Sequence, residues 1–174
     1  MTNILETERL IIRELDASKD AEFVFQLLNT PKFLQYIGDR NVRSVEGADD
    51  FIRDRYRKSY EDHGYGLYCV ELKSTENGNK QVGLCGFVRR DTLPAPDIGF
   101  AFLPDHEGKG FGFESATAVM QHGREHLKFT EVLAITSLDN EASGKLLEKL
   151  GFAFDKIIET DEGESLKLFR IDLV

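Results

Sequence analysis

Apolar residues recur along this chain with two periods, and the places where the period changes divide it into elements. Residues 9–15 alternate closely enough to form a half-buried strand. Ser18 can then cap a helix carrying Phe23, Phe25, Leu27 and Leu28, and Thr30-Pro31 interrupts it. A longer helix is predicted after Ser44, running to about residue 62. Val45, Ala48, Phe51, Ile52, Arg55 and Tyr56 are spaced along one of its faces, and His63-Gly64 stops it. Residues 65–72 and 81–89 read as strands joined by a polar link in which Asn77-Gly78 marks a turn. Pro94 and Pro96 announce another strand over 97–103.

Beyond a glycine-rich stretch the period returns to that of a helix, with Phe113, Ala116, Met120, Gly123 and Leu127 on one side. Residues 131–136 form a short strand of the buried type. Asp139 or Asn140 then caps a helix whose apolar face is Ala142, Leu146, Leu147 and Leu150, and Gly151 ends it. Residues 153–160 and 165–172 make a hairpin about Asp161-Glu162-Gly163. The order is one strand, two helices, three strands, a helix, a strand, a helix and two strands, with no internal repeat or linker. A single mixed α/β (α+β) domain over residues 1–174 accounts for it.

The glycine-rich stretch is Leu103-Pro104-Asp105-His106-Glu107-Gly108-Lys109-Gly110-Phe111-Gly112. Alternate glycines between a strand and a helix let the backbone take positive φ and admit a ligand close to the main chain. The first N–H groups of the following helix then point at that ligand, which suits an anion. A P-loop would need Gly at position 103 and Ser or Thr at 110, and the dinucleotide fingerprint started at Gly110 puts Ser115 where its third glycine belongs.

The stretch Glu107-Gly108-Lys109-Gly110-Phe111-Gly112 resembles motif A of the GNAT acyltransferases, (Q/R)xxGx(G/A). Some thirty residues on, Asn140-Glu141-Ala142-Ser143-Gly144-Lys145-Leu146-Leu147-Glu148-Lys149-Leu150-Gly151-Phe152 resembles their motif B. Thr7-Glu8-Arg9-Leu10-Ile11-Ile12-Arg13 looks like the opening strand of the branch that contains the RimJ and RimL protein N-terminal acetyltransferases. The resemblance covers nearly the whole chain. It implies a single GNAT-like domain with a central mixed, mostly antiparallel sheet flanked by helices, acetyl-CoA as co-substrate and an amine as acceptor.

Composition narrows the setting. A chain of 174 residues with 41% hydrophobic and 30% charged residues is ordinary for one globular domain. Its net charge of −9 argues against a general nucleic-acid binder and is compatible with a cationic substrate. The apolar runs fall short of a membrane span and the N-terminus lacks the apolar segment of a signal peptide, so no membrane partner and cytoplasmic residence are expected. Cys69 and Cys85 have no metal-type spacing and read as buried thiols. A monomer or a homodimer is expected.

Acetyl transfer from a thioester to an amine needs a held donor, a neutral amine, a hydrogen bond to the developing oxyanion and a proton for the leaving thiolate. The resemblance gives the donor's phosphates to Gly108, Lys109, Gly110, Phe111 and Gly112, and its pantetheine arm to the backbone of Phe102 and Leu103. Asp97 falls where many GNAT enzymes carry a glutamate base, and His106 is a lesser candidate. The tyrosine that many of them use for the thiolate is replaced here by Leu147, and Ser143, one turn earlier, is the substitute the branch implies. Asn140 can serve as helix cap, as ligand for a pantetheine amide, or as both. Glu107 departs from the family's Gln or Arg, and a carboxylate facing a pyrophosphate would repel it. Three readings of function stay open: transfer to a protein N-terminus, transfer to a small amine such as a polyamine or aminoglycoside, and a non-catalytic coenzyme A-binding module. His122-Gly123-Arg124-Glu125-His126 also fits H-x-x-E-H, a zinc-protease pattern, but both histidines lie off the core stripe; no metal is expected.

Overall fold

The computed structural model describes residues 3–74 and 76–174. Helix α1, Ala17–Leu28, begins two residues earlier in the chain than the sequence implies: Asp16, not Ser18, is its cap and accepts from the Ser18 N–H at 2.9 Å. Pro31 does not merely interrupt α1. With Thr30 as cap it opens a second helix, α2, Pro31–Tyr36, because a proline at the first helical position lacks only an N–H that has no partner there anyway. The predicted long helix is α3, Val45–Phe51, continuing through a π-wound stretch, Ile52–Arg57, into α4, Lys58–His63. Ala48, Ile52 and Tyr56 are its buried positions, whereas Val45 and Arg55 are exposed. Gly64 ends it with φ +79°.

The strands are β1 (Asn3–Glu6), β2 (Leu10–Arg13), β3 (Leu67–Leu72), β4 (Lys80–Val88), β5 (Asp97–Phe102), β6 (Glu131–Ser137), β7 (Ala153–Glu159) and β8 (Ser165–Asp172). Helix α5, Phe111–Glu125, links β5 to β6, and α6, Glu141–Lys149, follows β6. The sheet has eight strands in the order β1-β2-β3-β4-β5-β6-β8-β7, antiparallel everywhere except between β5 and β6. Strand β1 is an addition to the sequence reading; its four residues carry no clear alternation. The hairpin β7–β8 forms as expected, with Gly163 at φ +83°.

Alternation along the central strands sorts the core into two layers. Leu10, Ile12, Tyr68, Val70, Cys85, Phe87 and Ile98 pack under α5, with Leu147 of α6. Cys69 and Leu84 face the other way, against Val24, Leu27, Ala48 and Ile52 of the N-terminal helices. In α5 the buried stripe is Phe111, Ser115, Ala116, Val119, Met120 and Gly123; Phe113 is half-buried and Leu127 lies past the helix end. Of the expected α6 face only Leu147 is buried, and Ala142 is exposed, because a single side of this helix meets the sheet. A buried ionic cluster fastens α1 to the sheet: the Arg13 guanidinium donates to Asp20 at 2.7 Å and lies 3.0 Å from Glu71.

Strand β4 passes so close to the β3 entry that a Cβ on Gly86 would lie 2.1 Å from the Gly66 carbonyl oxygen and 2.9 Å from the Leu67 Cα. Backbone cannot rotate away as a side chain can. Gly86→Ala is therefore expected to destabilise the fold by about 3 kcal/mol or more, read as a lowered denaturation midpoint. An unchanged midpoint would mean that β3 and β4 separate at no cost.

Candidate active site

The site begins where the sheet opens. Strand β5 pairs with β4 along its whole length, from Val88–Asp97 to Gly83–Phe102, but with β6 only at Asp97–Leu133, where the Leu133 N–H donates to the Pro96 carbonyl at 2.9 Å. Past that point the two parallel strands diverge into a fork. The Leu103 N–H donates to the Val82 carbonyl at 2.9 Å, so position 103 directs its backbone to β4. By alternation, Phe100 and Phe102 direct theirs into the fork. Of the two residues expected to pair with an extended ligand, Phe102 thus has a free edge and Leu103 does not. The Leu103 carbonyl is also engaged, by the His106 N–H at 2.9 Å.

The free edge leads into the glycine loop. After a short turn, Pro104–His106, the chain passes Gly108 at φ +71° and Gly110 at φ +84°, and α5 starts at Phe111 with Gly110 as an uncapped N-terminus. The N–H groups of Phe111, Gly112 and Phe113 belong to the first turn and have no helical partner. Together with the helix dipole they make a concentrated positive site. Two cations stand beside it. Arg9 donates to the Lys109 carbonyl at 3.0 Å, lies 4.5 Å above the Phe111 ring and pairs with Glu114 at 2.7 Å. Lys149, at the end of α6, lies 4.2 Å above the Phe113 ring. Arg9, Gly110, Phe113, Glu114, Thr117 and Lys149 line a shallow cleft there. Glu107 is engaged in an ion pair with Lys32 of α2. This donor set fits a pyrophosphate: unpaired N–H groups at a helix N-terminus, a cradle without Cβ atoms at Gly108 and Gly110, and flanking cations.

Asp97 sits at the apex of the fork with 1% of its surface exposed. Burial pushes its carboxyl up to about 6, and the Arg90 guanidinium, whose Nε lies 3.1 and 3.3 Å from the two carboxylate oxygens, opposes that rise. A carboxyl in that range can hold or release a proton near neutral pH. His106 is shifted the other way by burial and by Lys80 and Lys109, and its Nδ1 is buried without a partner among the described residues. On α6 the Asn140 side chain accepts from the Ser143 N–H at 3.2 Å as the helix cap, which leaves its amide NH₂ for a ligand. Ser143 is half-buried, and among the described residues its Oγ donates to no helix carbonyl, unlike Ser115, whose Oγ bonds the Gly112 carbonyl at 3.2 Å.

Arg9, Lys32, Arg90 and Lys149 are site residues that sequence reasoning missed. Arg9 and Lys32 meet the loop from the far end of the chain, with no local signal. Arg90 is recoverable in principle, because a hairpin between β4 and β5 returns it to the level of Asp97. His122 of α5 and His126, its C-cap, have ring centroids 5.2 Å apart with the rings tilted by 34°, and among the described residues no group of three or more His, Cys, Asp and Glu side chains gathers to hold a metal ion. No helix among them is long and apolar enough to cross a membrane.

Comparison with known proteins agrees with this geometry. The acetyltransferase (GNAT) domain family matches residues 9–153. The chain is 28% identical over 158 residues to YoaA, an uncharacterised N-acetyltransferase of Bacillus subtilis (strain 168), covering 91% of this chain and 87% of that one. Its fold is similar to RimL, a ribosomal L7/L12 α-N-protein acetyltransferase solved with coenzyme A, at a TM-score of 0.71 and 18% identity over 98% of this chain and 97% of that one. It is also similar to the spermidine N-acetyltransferase of Vibrio cholerae solved with coenzyme A and spermine, at a TM-score of 0.75 and 18% identity over 95% and 96%. At those identities the two solved structures speak for the fold alone.

Proposed function

Because the chain belongs to the GNAT family and is an acetyltransferase, we propose that it transfers the acetyl group of acetyl-CoA to a primary amine, with a protein N-terminus as the first acceptor to test. The observation that carries this reading is the fork: a free strand edge at Phe100 and Phe102 that runs straight into an anion cradle, with a near-neutral carboxyl at its apex. An extended pantetheine arm would bond that edge as an added strand does, with its phosphates at Gly108 to Gly112. An N–H of the edge would meet the carbonyl oxygen as it becomes an oxyanion.

In this scheme Asp97, directly or through a water, takes a proton from the ammonium form of the acceptor, and the neutral amine attacks the thioester carbon. The C–N bond forms and the C–S bond breaks. The nitrogen gives up its second proton to solvent water, and Ser143 passes its hydroxyl proton to the thiolate and is reprotonated from that water, so the proton taken by Asp97 is the one released. One proton is released overall for each amide formed. Lys32 relieves Glu107 of its repulsion for the phosphates, while Arg9 adds positive charge at the mouth of the cradle.

A polyamine is the second reading, favoured by the net charge of −9 and the likeness in fold to a spermidine acetyltransferase. Thiol release from acetyl-CoA, measured across short peptides with free N-termini and across polyamines, separates the two. Turnover of peptides supports the first and turnover of polyamines alone the second. Coenzyme binding with no turnover of any amine would reduce the protein to a coenzyme-binding module.

The same assay tests Ser143. Ser143→Ala is expected to lower kcat about 10²-fold, the low end of general-acid catalysis, and to leave acetyl-CoA affinity nearly unchanged. If kcat holds within about twofold, the thiolate leaves by another route.

A further inference from the structure

We propose that Arg90 is a positioning residue for the transfer, holding the Asp97 carboxylate ionised and fixed in orientation at the apex of the fork. The inference rests on the reading of Asp97 as the group that takes the acceptor's proton. It deepens that reading by naming what keeps so buried an acid in its basic form.

The geometry is specific. Asp97 opens β5 with its side chain 2% exposed, and its neighbours in register are Val88 on β4 and Leu133 on β6, both apolar. Neither neighbour can solvate a negative charge. Arg90 follows the end of β4, and the turn between the strands brings its Nε to both carboxylate oxygens, at 3.1 and 3.3 Å. It is the one charged group among the described residues that bears on Asp97. Its own side chain is 37% exposed, so water hydrates the cation while the anion stays dry. Isolated burial raises a carboxyl by several pH units, and a cation in contact returns about 1 to 3 of them. That return decides which form of Asp97 prevails at neutral pH. An exposed ion pair kept only as a brace would contribute little, and its loss would not move the titration of the fork's acid.

The decisive measurement reads Asp97 directly and needs no acceptor. Protein labelled with ¹³C at aspartate carboxyls is titrated by NMR, with Asp97→Asn identifying the signal. Arg90→Met is expected to raise the Asp97 midpoint by at least about one pH unit, and Arg90→Lys, which keeps the cation, is expected to restore most of the shift. Arg90→Gln gives the same comparison should the methionine variant fail to fold. In parallel, the acidic limb of kcat/KM is followed with a short free-N-terminal peptide, or with spermine if that is the faster acceptor, and is expected to move upward with the NMR midpoint. An unmoved midpoint in the methionine or glutamine variant overturns the role of Arg90 and leaves the assignment of Asp97 intact. A midpoint that moves while the limb stays removes Asp97 from the chemistry, and the role of Arg90 falls with it.

Discussion

Isothermal titration of the Gly110→Asp variant with acetyl-CoA is expected to show no binding, whereas the parent binds. Gly110 has φ +84° and serves as the uncapped start of α5. A Cβ there would lie 3.2 Å from the Arg9 Nη2, a flexible group that can yield, so the fold tolerates the change at the cost of about 1 kcal/mol of backbone strain. The phosphates cannot yield in the same way. A carboxylate in the cradle would draw Arg9 to itself and bond the first-turn N–H groups that a pyrophosphate needs. Hydrogen bonds to charged groups are worth about 1.5 to 3 kcal/mol each, so losing two or three means a fall in affinity of about a hundredfold or more. Unchanged affinity in a folded variant would move the coenzyme out of the loop altogether.

Asp97→Asn is expected to lower kcat/KM by about 10²- to 10⁴-fold near neutral pH while leaving acetyl-CoA affinity as it was, because the amide keeps the shape and loses only the proton acceptor. Part of the loss should return at high pH, where more of the acceptor is already neutral. A loss of equal size at every pH would assign Asp97 to positioning instead. The same variant is expected to be more stable than its parent. Burial raises the folded carboxyl from an ordinary 3.8 to about 6. An acid raised on folding favours the fold below its unfolded value, and that contribution is lost as pH rises through the folded one. Above about pH 6 the parent therefore carries a buried anion that the amide does not, a difference of roughly 3 kcal/mol. Thermal midpoints should diverge at pH 8 and meet below pH 4.

Those parts of the molecule that local chemistry dictates were readable from the chain. Gly64, Gly110 and Gly163 adopt the positive φ their positions in the sequence imply, and Asn140 caps α6 as its motif requires. Pro31 was ambiguous because a proline both ends one helix and begins the next. Strand β1 escaped because four residues at an edge need not alternate. The backbone of Leu103 was misassigned for a different reason: which residues of a strand face a gap depends on its register with the neighbouring strand, and register is a property of two segments. Arg9 and Lys32 meet their partners across 100 and 75 positions of chain, and no window of sequence holds both ends of such a contact.

The parting of β5 and β6 also divides the molecule mechanically. Strands β1 to β5 hang together through four antiparallel ladders, and β6, β8 and β7 through two more, yet a single residue pair joins the two groups within the sheet. Beyond that pair they are joined by packing through α5 and α6 and by Phe129, just before β6, whose ring meets Tyr65 and Phe87. Such a molecule can open as two cooperative units, with the amides of Phe100 and Phe102 the first of the central sheet to exchange with solvent. A ligand lying in the gap then acts as mortar as well as substrate, and the free energy it contributes to closing the halves grows with its concentration. Were that ligand the proposed acyl donor, the hold of one half on the other would strengthen with donor concentration.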